Sequence, residues 1–300
     1  MSQGTLIVVA GPTASGKTAF SIRMAKALHT VIVSADSRQL YKEMQIGTAA
    51  PTSDELLEVK HYNIHNISIN DTYTVADFEK KTIALLEQLF QVHATVILTG
   101  GSGLFIDAVC QGIDPMPDIT TEVRQKIGQQ YREGGLSALQ QAVQSLDPEY
   151  YASVDIQNPR RLQRALEICY QTGMTFSSFR KRQSEPRNFN IIKLALLWER
   201  DLLYDCIDLR VDQMMGQGLL EEARRLYPLR HLNALNTVGY KELFAFFDGQ
   251  CTLEEAVAQI KLNTRHYAKR QMTWFRKDHG YNWFQPEAFE ETLQYVHSKI

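Results

Sequence analysis

Gly11-Pro-Thr-Ala-Ser-Gly-Lys-Thr18 fits the pattern G-x-x-x-x-G-K-[ST] at each fixed position, and its flanks decide how it folds. Before it, Thr5-Leu-Ile-Val-Val-Ala10 is a short apolar run that reads as a buried strand. After it, apolar residues return at helical spacing from Thr18 to Leu28. Strand, glycine-bearing turn and helix start together make a cradle. Its backbone N–H groups and the helix N-terminus converge, and both favour phosphate oxygens. Lys17 adds a point charge, and the Thr18 hydroxyl is placed to ligate Mg²⁺. An ordinary capped turn requires neither Lys17 nor two glycines at this spacing. Gly11, Pro12, Thr13, Ala14, Ser15, Gly16, Lys17 and Thr18 are therefore expected to hold a polyphosphate, which leaves the reaction open.

A chain of 300 residues, 44% of them hydrophobic, can bury a full core and should form one large domain with an insertion. No run approaches the ~20 apolar residues that cross a bilayer. The first strand begins within a few residues of Met1, so no signal or transit peptide is expected. Cys110, Cys169, Cys206 and Cys251 are far apart and read as reduced, packed thiols of a cytoplasmic protein. Net charge is only −2, yet cations collect in two tracts. One holds Arg160, Arg161, Arg164, Arg180, Lys181, Arg182, Arg187 and Lys193; the other holds Lys261, Arg265, Lys269, Arg270, Arg276 and Lys277. On charge alone these are either a polyanion footprint or two solvated helix faces.

Val31-Ile-Val-Ser-Ala35 predicts a second strand that ends on Asp36. Ligands of open α/β sheets lie beyond the strand carboxyl ends, so Asp36 should face whatever the phosphate loop holds, or else cap the next turn. Gln45 to Asp71 reads as polar and irregular, and His61 and His65 within it as ordinary loop histidines. Thr74 to Phe90 predicts a helix opened by Thr74 and Asp77 as a capping box. Ala94 to Thr99 is a further strand, followed by Gly100-Gly-Ser-Gly103. A common ATP hydrolase would end that strand on a Mg²⁺-binding Asp; Thr99 stands there instead, which argues against routine nucleotide hydrolysis. The glycines permit close backbone approach to a ligand, or merely a tight turn.

From Asp114-Pro-Met-Pro117 the texture changes. Ile119 to Tyr131, Leu136 to Leu146 and Pro159 to Gln171 read as amphipathic helices without intervening strands. Arg160, Arg161 and Arg164 share roughly one helix face. The expected division is a core of 1–115 and 190–300 with a helical insertion at 116–189. Ile191 to Trp198 resumes the sheet, and helices follow at Asp201–Gln217, Leu219–Tyr227, Gly239–Phe247 and Thr252–Lys277. Tyr267 and Trp274, seven apart on the last of these, are expected to pack into the core.

Taken in order, the phosphate loop, Ser34-Ala-Asp-Ser37 with Tyr41, Ile46-Gly-Thr48, Tyr73 to Phe78, Gly100 to Gly103, Asn158 to Arg164, Val238-Gly-Tyr-Lys241 and Thr264 to Arg276 resemble bacterial tRNA dimethylallyltransferases. The likeness runs from the first strand to about Trp283. It implies an α/β, P-loop NTPase-like parallel sheet flanked by helices, with an all-helical insertion. It also implies transfer of a dimethylallyl group from its diphosphate to the exocyclic amine of the adenine 3′ of the anticodon. By that resemblance Asp36 is the general base, with Lys17 and Ser102 beside it in catalysis. Asp36, Ser37, Arg38, Gln39, Ser102, Arg124, Arg160, Arg161, Leu162, Gln163 and Arg164 are the tRNA-contacting positions, and Mg²⁺ the cofactor. The partners are tRNA through its anticodon stem-loop and dimethylallyl diphosphate, with no membrane and a monomeric chain expected. Ser102 stands where Thr is usual but keeps the hydroxyl. Gln45 and His65 replace two carboxylates and put acidic contacts from that loop in doubt.

Two other functions share part of this pattern. A small-molecule kinase would use the same loop and Asp36 on an acceptor hydroxyl, and would move phosphorus. An RNA-binding nucleotide switch would bind tRNA in an ATP- or GTP-dependent way without chemistry.

Overall fold

The structure, a computed structural model, describes residues 4–180 and 186–300. They form two compact units, Met1–Cys110 with Pro186–Ile300, and Gln111–Glu185.

The first unit opens with β1 (Thr5–Ala10), α1 (Lys17–Ala27), β2 (Ile32–Ser34), α2 (Ser53–Glu58), β3 (His61–Tyr62), α3 (Val75–Leu89), β4 (Thr95–Gly100) and α4 (Gly103–Gln111). The second unit contains α5 (Thr121–Leu146), α6 (Pro148–Ser153), α7 (Pro159–Thr172) and α8 (Phe176–Phe179). The first then resumes with β5 (Asn190–Leu196), α9 (Arg200–Gly216), α10 (Leu219–Leu226), α11 (Tyr240–Phe247), α12 (Leu253–Phe275), β6 (Tyr281–Phe284) and α13 (Phe289–His297).

All six strands pair parallel in the order β3-β2-β4-β1-β5-β6. β1 is central, and every one of its residues is buried. A strand covered on both faces is apolar throughout, which is why Leu-Ile-Val-Val lacks alternation. Its side chains nevertheless separate by face. Leu6, Val8 and Ala10 join the core beneath α3, α4 and α10 to α12, while Ile7 and Val9 join Phe20, Met24 and Phe289 on the other side. The register sets Ala10 opposite Gly100 and Ser34 opposite Thr99, so three strands end side by side. The phosphate loop, Asp36 and Ser102 each follow one of those ends.

The expected helix at Thr74 forms with its capping box, Thr74 accepting from the Asp77 N–H and Asp77 from the Thr74 N–H. The stretch from Gln45 to Asp71 is less irregular than expected. Thr52 and Glu55 form a capping box that starts α2, and His61–Tyr62 add the edge strand β3. β6 and α13 were not expected either. Tyr281 to Phe284 pair with Lys193 to Leu196, and Phe289 packs edge-on against Phe20 at 5.4 Å.

In the second unit α5 contains Gly135 at φ 61°, ψ −158°, so the expected break between two helices appears as a kink. Its core gathers Ile127, Leu139, Val143, Leu162, Leu166 and Ile168. Asp147 holds the unit's turn, its side chain accepting from the Tyr150 N–H at 3.0 Å and the Ser177 N–H at 2.7 Å.

Candidate active site

In the phosphate loop α1 starts on Gly16 at φ 75° with no side-chain cap, unlike α2 and α3. Ala14 is also left-handed at φ 62°, a conformation costing an L-residue roughly 1–2 kcal/mol. A loop held in this shape leaves the first N–H groups of α1 for an anion. Lys17 folds back and donates to the Pro12 carbonyl at 2.5 Å. Desolvation, then the charge of Arg210, lowers its pKa to about 7 against a smaller raising effect of Asp36. Arg210 is itself lowered, chiefly by burial. Two desolvated cations in one site favour the arrival of an anion.

The loop is held from far along the chain. Gln271 of α12 accepts from the Thr13 N–H at 2.8 Å and donates to the Gly101 carbonyl at 2.8 Å, joining the loops after β1 and β4. Trp198 Nε1 donates to the Ser15 carbonyl at 3.0 Å, and Arg210 to the Thr13 hydroxyl at 3.4 Å. These three residues come from beyond β5, and no spacing rule ties them to the loop, so their role escaped the sequence. Close packing also decides the glycines after β4. A Cβ on Gly100 would stand 2.3 Å from the Ala35 carbonyl oxygen, and one on Gly101 2.2 Å from Gln271 Nε2.

A cavity of about 990 Å³ opens above the strand ends, lined by Thr13 to Thr18 and by Asp36 to Gln39. Asp36 Oδ1 accepts from the Arg38 N–H at 2.9 Å, so it caps the turn and faces the cavity at once. Ser102 accepts from the Ser37 N–H at 3.0 Å. Gly11 and Pro12 lie buried behind the loop. The Arg38 guanidinium donates to the Ala234 carbonyl at 3.0 Å. Gln39 accepts from the Ser34 hydroxyl at 3.2 Å and donates to the Ala49 carbonyl at 3.1 Å, so its amide supports the cavity wall.

Oxygen donors suit a hard divalent cation. The Thr18 hydroxyl and the Asp36 carboxylate line one cavity, and the Ser15 hydroxyl is buried in the cradle without a partner. This donor set fits Mg²⁺ held largely by phosphate oxygens.

Several expectations change. Tyr267 lines the cavity instead of packing in the core, and desolvation, with Asp36 near, pushes its phenol up to about 12. Trp274 is 40% exposed, its Nε1 donating to Asp107 at 2.9 Å, and Gly103 lies directly against the indole. The neighbouring Phe275 does enter the core.

The basic tracts are also partly spent. Lys261 pairs with Asp212 at 2.7 Å and Arg265 with Asp208, both on α9. Arg187 pairs with Glu79 at 2.5 Å and Lys193 with Asp278 at 2.6 Å, while Arg180 lies over the Tyr150 ring. Lys181 and Arg182 lie outside the described residues. In the second unit Arg124, Arg160 and Arg161 are exposed, Gln163 is half-buried, and Arg164 meets Glu167 at 3.3 Å. Leu162 is 0% exposed within that unit's core, so its side chain cannot contact RNA.

A family model described as IPP transferase matches residues 39–278. The chain is 52% identical over 294 residues to tRNA dimethylallyltransferase 1 of Phocaeicola vulgatus, covering 98% of each. It is 51% identical over 292 residues to tRNA dimethylallyltransferase 1 of Bacteroides thetaiotaomicron, covering 97% of this chain and 95% of that one. The crystal structure of a full-length tRNA isopentenylpyrophosphate transferase from Bacillus halodurans matches with a TM-score of 0.74 at 34% identity, covering 99% and 97%. A eukaryotic dimethylallyltransferase solved while acting on tRNA matches at TM-score 0.74 and 25% identity, covering 90% of this chain and 69% of its own. With a parallel sheet that ends in a phosphate loop, and relatives that align along nearly its whole length, the chain belongs to the IPP transferase family.

Proposed function

We propose that the chain transfers a dimethylallyl group from dimethylallyl diphosphate to the exocyclic N6 amine of the adenine 3′ of the anticodon in tRNA, releasing diphosphate. The observation that carries this is Asp36 and the phosphate loop on one cavity, with Lys17 and Arg210 desolvated in the same site. The allylic carbon–oxygen bond breaks and its electron pair leaves on the diphosphate. The carbon bonds to N6, and the N6 proton passes to Asp36.

The backbone N–H groups of the loop, Lys17 and Arg210 stabilise charge growing on the leaving group, where preorganised donors act most strongly. Mg²⁺ bound at Thr18 would neutralise part of the diphosphate charge. Ser102, held by the Ser37 N–H, would orient the amine through its hydroxyl. The target base must leave its stack to reach such a site. Ser37 and Arg38 lie where base edges would be read, and Arg124, Arg160, Arg161 and Arg164 would hold the anticodon stem-loop by its phosphates. A monomer acting in the cytoplasm belongs to the same reading. Among the described residues no helix is long and apolar enough to cross a membrane.

Asp36→Ala should abolish turnover while tRNA affinity stays within a few-fold, measured by nucleoside mass spectrometry and filter binding. Near-normal turnover in that variant would remove Asp36 from the mechanism.

A further inference from the structure

The backbone N–H groups of Gln45, Ile46 and Gly47 converge on the carboxylate of Glu222. Gln45 and Ile46 donate to Oε2 at 3.1 and 2.9 Å, and Gly47 to Oε1 at 2.9 Å. The Tyr240 hydroxyl donates to the same Oε1 at 2.7 Å. Glu222 is 2% exposed and Tyr240 0%. The tyrosine ring lies so close to Gly47 that a Cβ there would stand 2.6 Å from the phenol oxygen. A carboxylate is kept out of water only when its lone pairs are filled, and four donors fill these.

Those donors belong to two segments of the chain that both reach the cavity. Residues 45–50 line the cavity, as do 236–239 with Lys241. Ile46 and Val238 are the branched apolar residues of these segments, and Met214 lines the same cavity from α9. The phosphate loop and Asp36 to Gln39 are polar. On the prenyl-transfer reading, on which this inference rests, the donor's hydrocarbon must lie against the apolar wall. We propose that Glu222 and Tyr240 are a clasp that fixes Ile46 and Val238, and so sets how long an allylic chain the cavity accepts. They are positioning residues, acting through the wall.

Glutamine offers one acceptor oxygen and an amide that donates, so Glu222→Gln leaves at least one of the three N–H groups without its partner. Tyr240→Phe removes one donor and leaves the three N–H bonds in place. The first should loosen the wall more than the second.

The test is a competition between dimethylallyl diphosphate and its ten-carbon homologue geranyl diphosphate for unmodified tRNA, with both products quantified by mass spectrometry. The ratio of the two kcat/KM values does not depend on how much protein is active. Glu222→Gln should shift that ratio towards the ten-carbon donor by at least ~10-fold, the scale of small volume changes in an apolar pocket. Tyr240→Phe should shift it the same way by less. A ratio within twofold of wild type in Tyr240→Phe and Glu222→Gln, with both rates lowered in parallel, overturns the clasp. Should Glu222→Gln not fold, an unchanged ratio in Tyr240→Phe alone overturns it. Wild-type protein that transfers neither donor overturns the prenyl reading itself, a failure visible before any variant is made.

Discussion

Two segments of this molecule turn consecutive backbone N–H groups towards one point, and they differ in what fills it. At Gln45 to Gly47 the chain supplies its own carboxylate, Glu222. At the phosphate loop α1 begins on Gly16 with no side-chain cap, and Lys17 and Arg210 beside it are desolvated cations. A filled nest is architecture. An open one, with desolvated cations beside it, is a place for a polyanion to arrive.

The largest effect that could break this contrast is at Lys17. Lys17→Met should cut turnover by about 10²–10³, the cost of losing one donor to a developing oxyanion. The same residue makes a statement about stability. With a folded pKa near 7 and an ordinary lysine value of 10.5, the ligand-free fold binds fewer protons here than the unfolded chain between those values. Wild-type stability should therefore rise relative to Lys17→Met from pH 7 to pH 9, by at most ~1.4 kcal/mol per pH unit, in denaturant titrations without Mg²⁺ or diphosphate. A flat difference would mean that the ammonium is not desolvated and the cradle not open.

Gln271 sharpens the contrast, since it holds the open nest in shape. Gln271→Ala leaves the Thr13 N–H and the Gly101 carbonyl without partners and should cost roughly 2–4 kcal/mol. Dimethylallyl transfer should fall with it, more through kcat/KM than through tRNA affinity. Unchanged kinetics would show that the loop keeps its form unaided.

Guanidinium groups divide in the same way. Arg265 is filled by Asp208, whereas Arg160 and Arg161 are exposed and make no ion pair among the described residues. Replacing Arg160 and Arg161 by Ala should weaken tRNA binding and flatten its salt dependence by roughly one unit per lost phosphate contact. Arg265→Ala should leave that slope alone and cost ~1 kcal/mol or less in stability. Equal slopes in both variants would erase the distinction.

How much of this was legible in the sequence follows from how local each signal is. The phosphate loop, β1 and the capping box at Thr74 are written in adjacent residues, and each forms where expected. Helical spacing placed Tyr267 and Trp274 on one face but could not say that this face meets a cavity and Gly103 instead of a core. Charge counting joined Lys261 to Lys277 in one tract; the acids that neutralise its first turns stand some fifty positions away, on α9. Gln271, Trp198, Arg210 and Glu222 act on loops more than 170 residues distant in sequence, where no spacing rule reaches. β6 was missed because four residues pair only with a strand already in place.

One measurement tests prenyl transfer against phosphoryl transfer most directly. Unmodified tRNA is incubated with the protein, Mg²⁺, isotopically labelled dimethylallyl diphosphate and γ-labelled ATP, and the nucleosides are then resolved by mass. The account predicts the labelled isoprenoid on N6 of an adenosine, free diphosphate in equal amount, and no migration of the ATP phosphorus. Label absent from adenosine, with the γ-phosphate found on a hydroxyl, would contradict it.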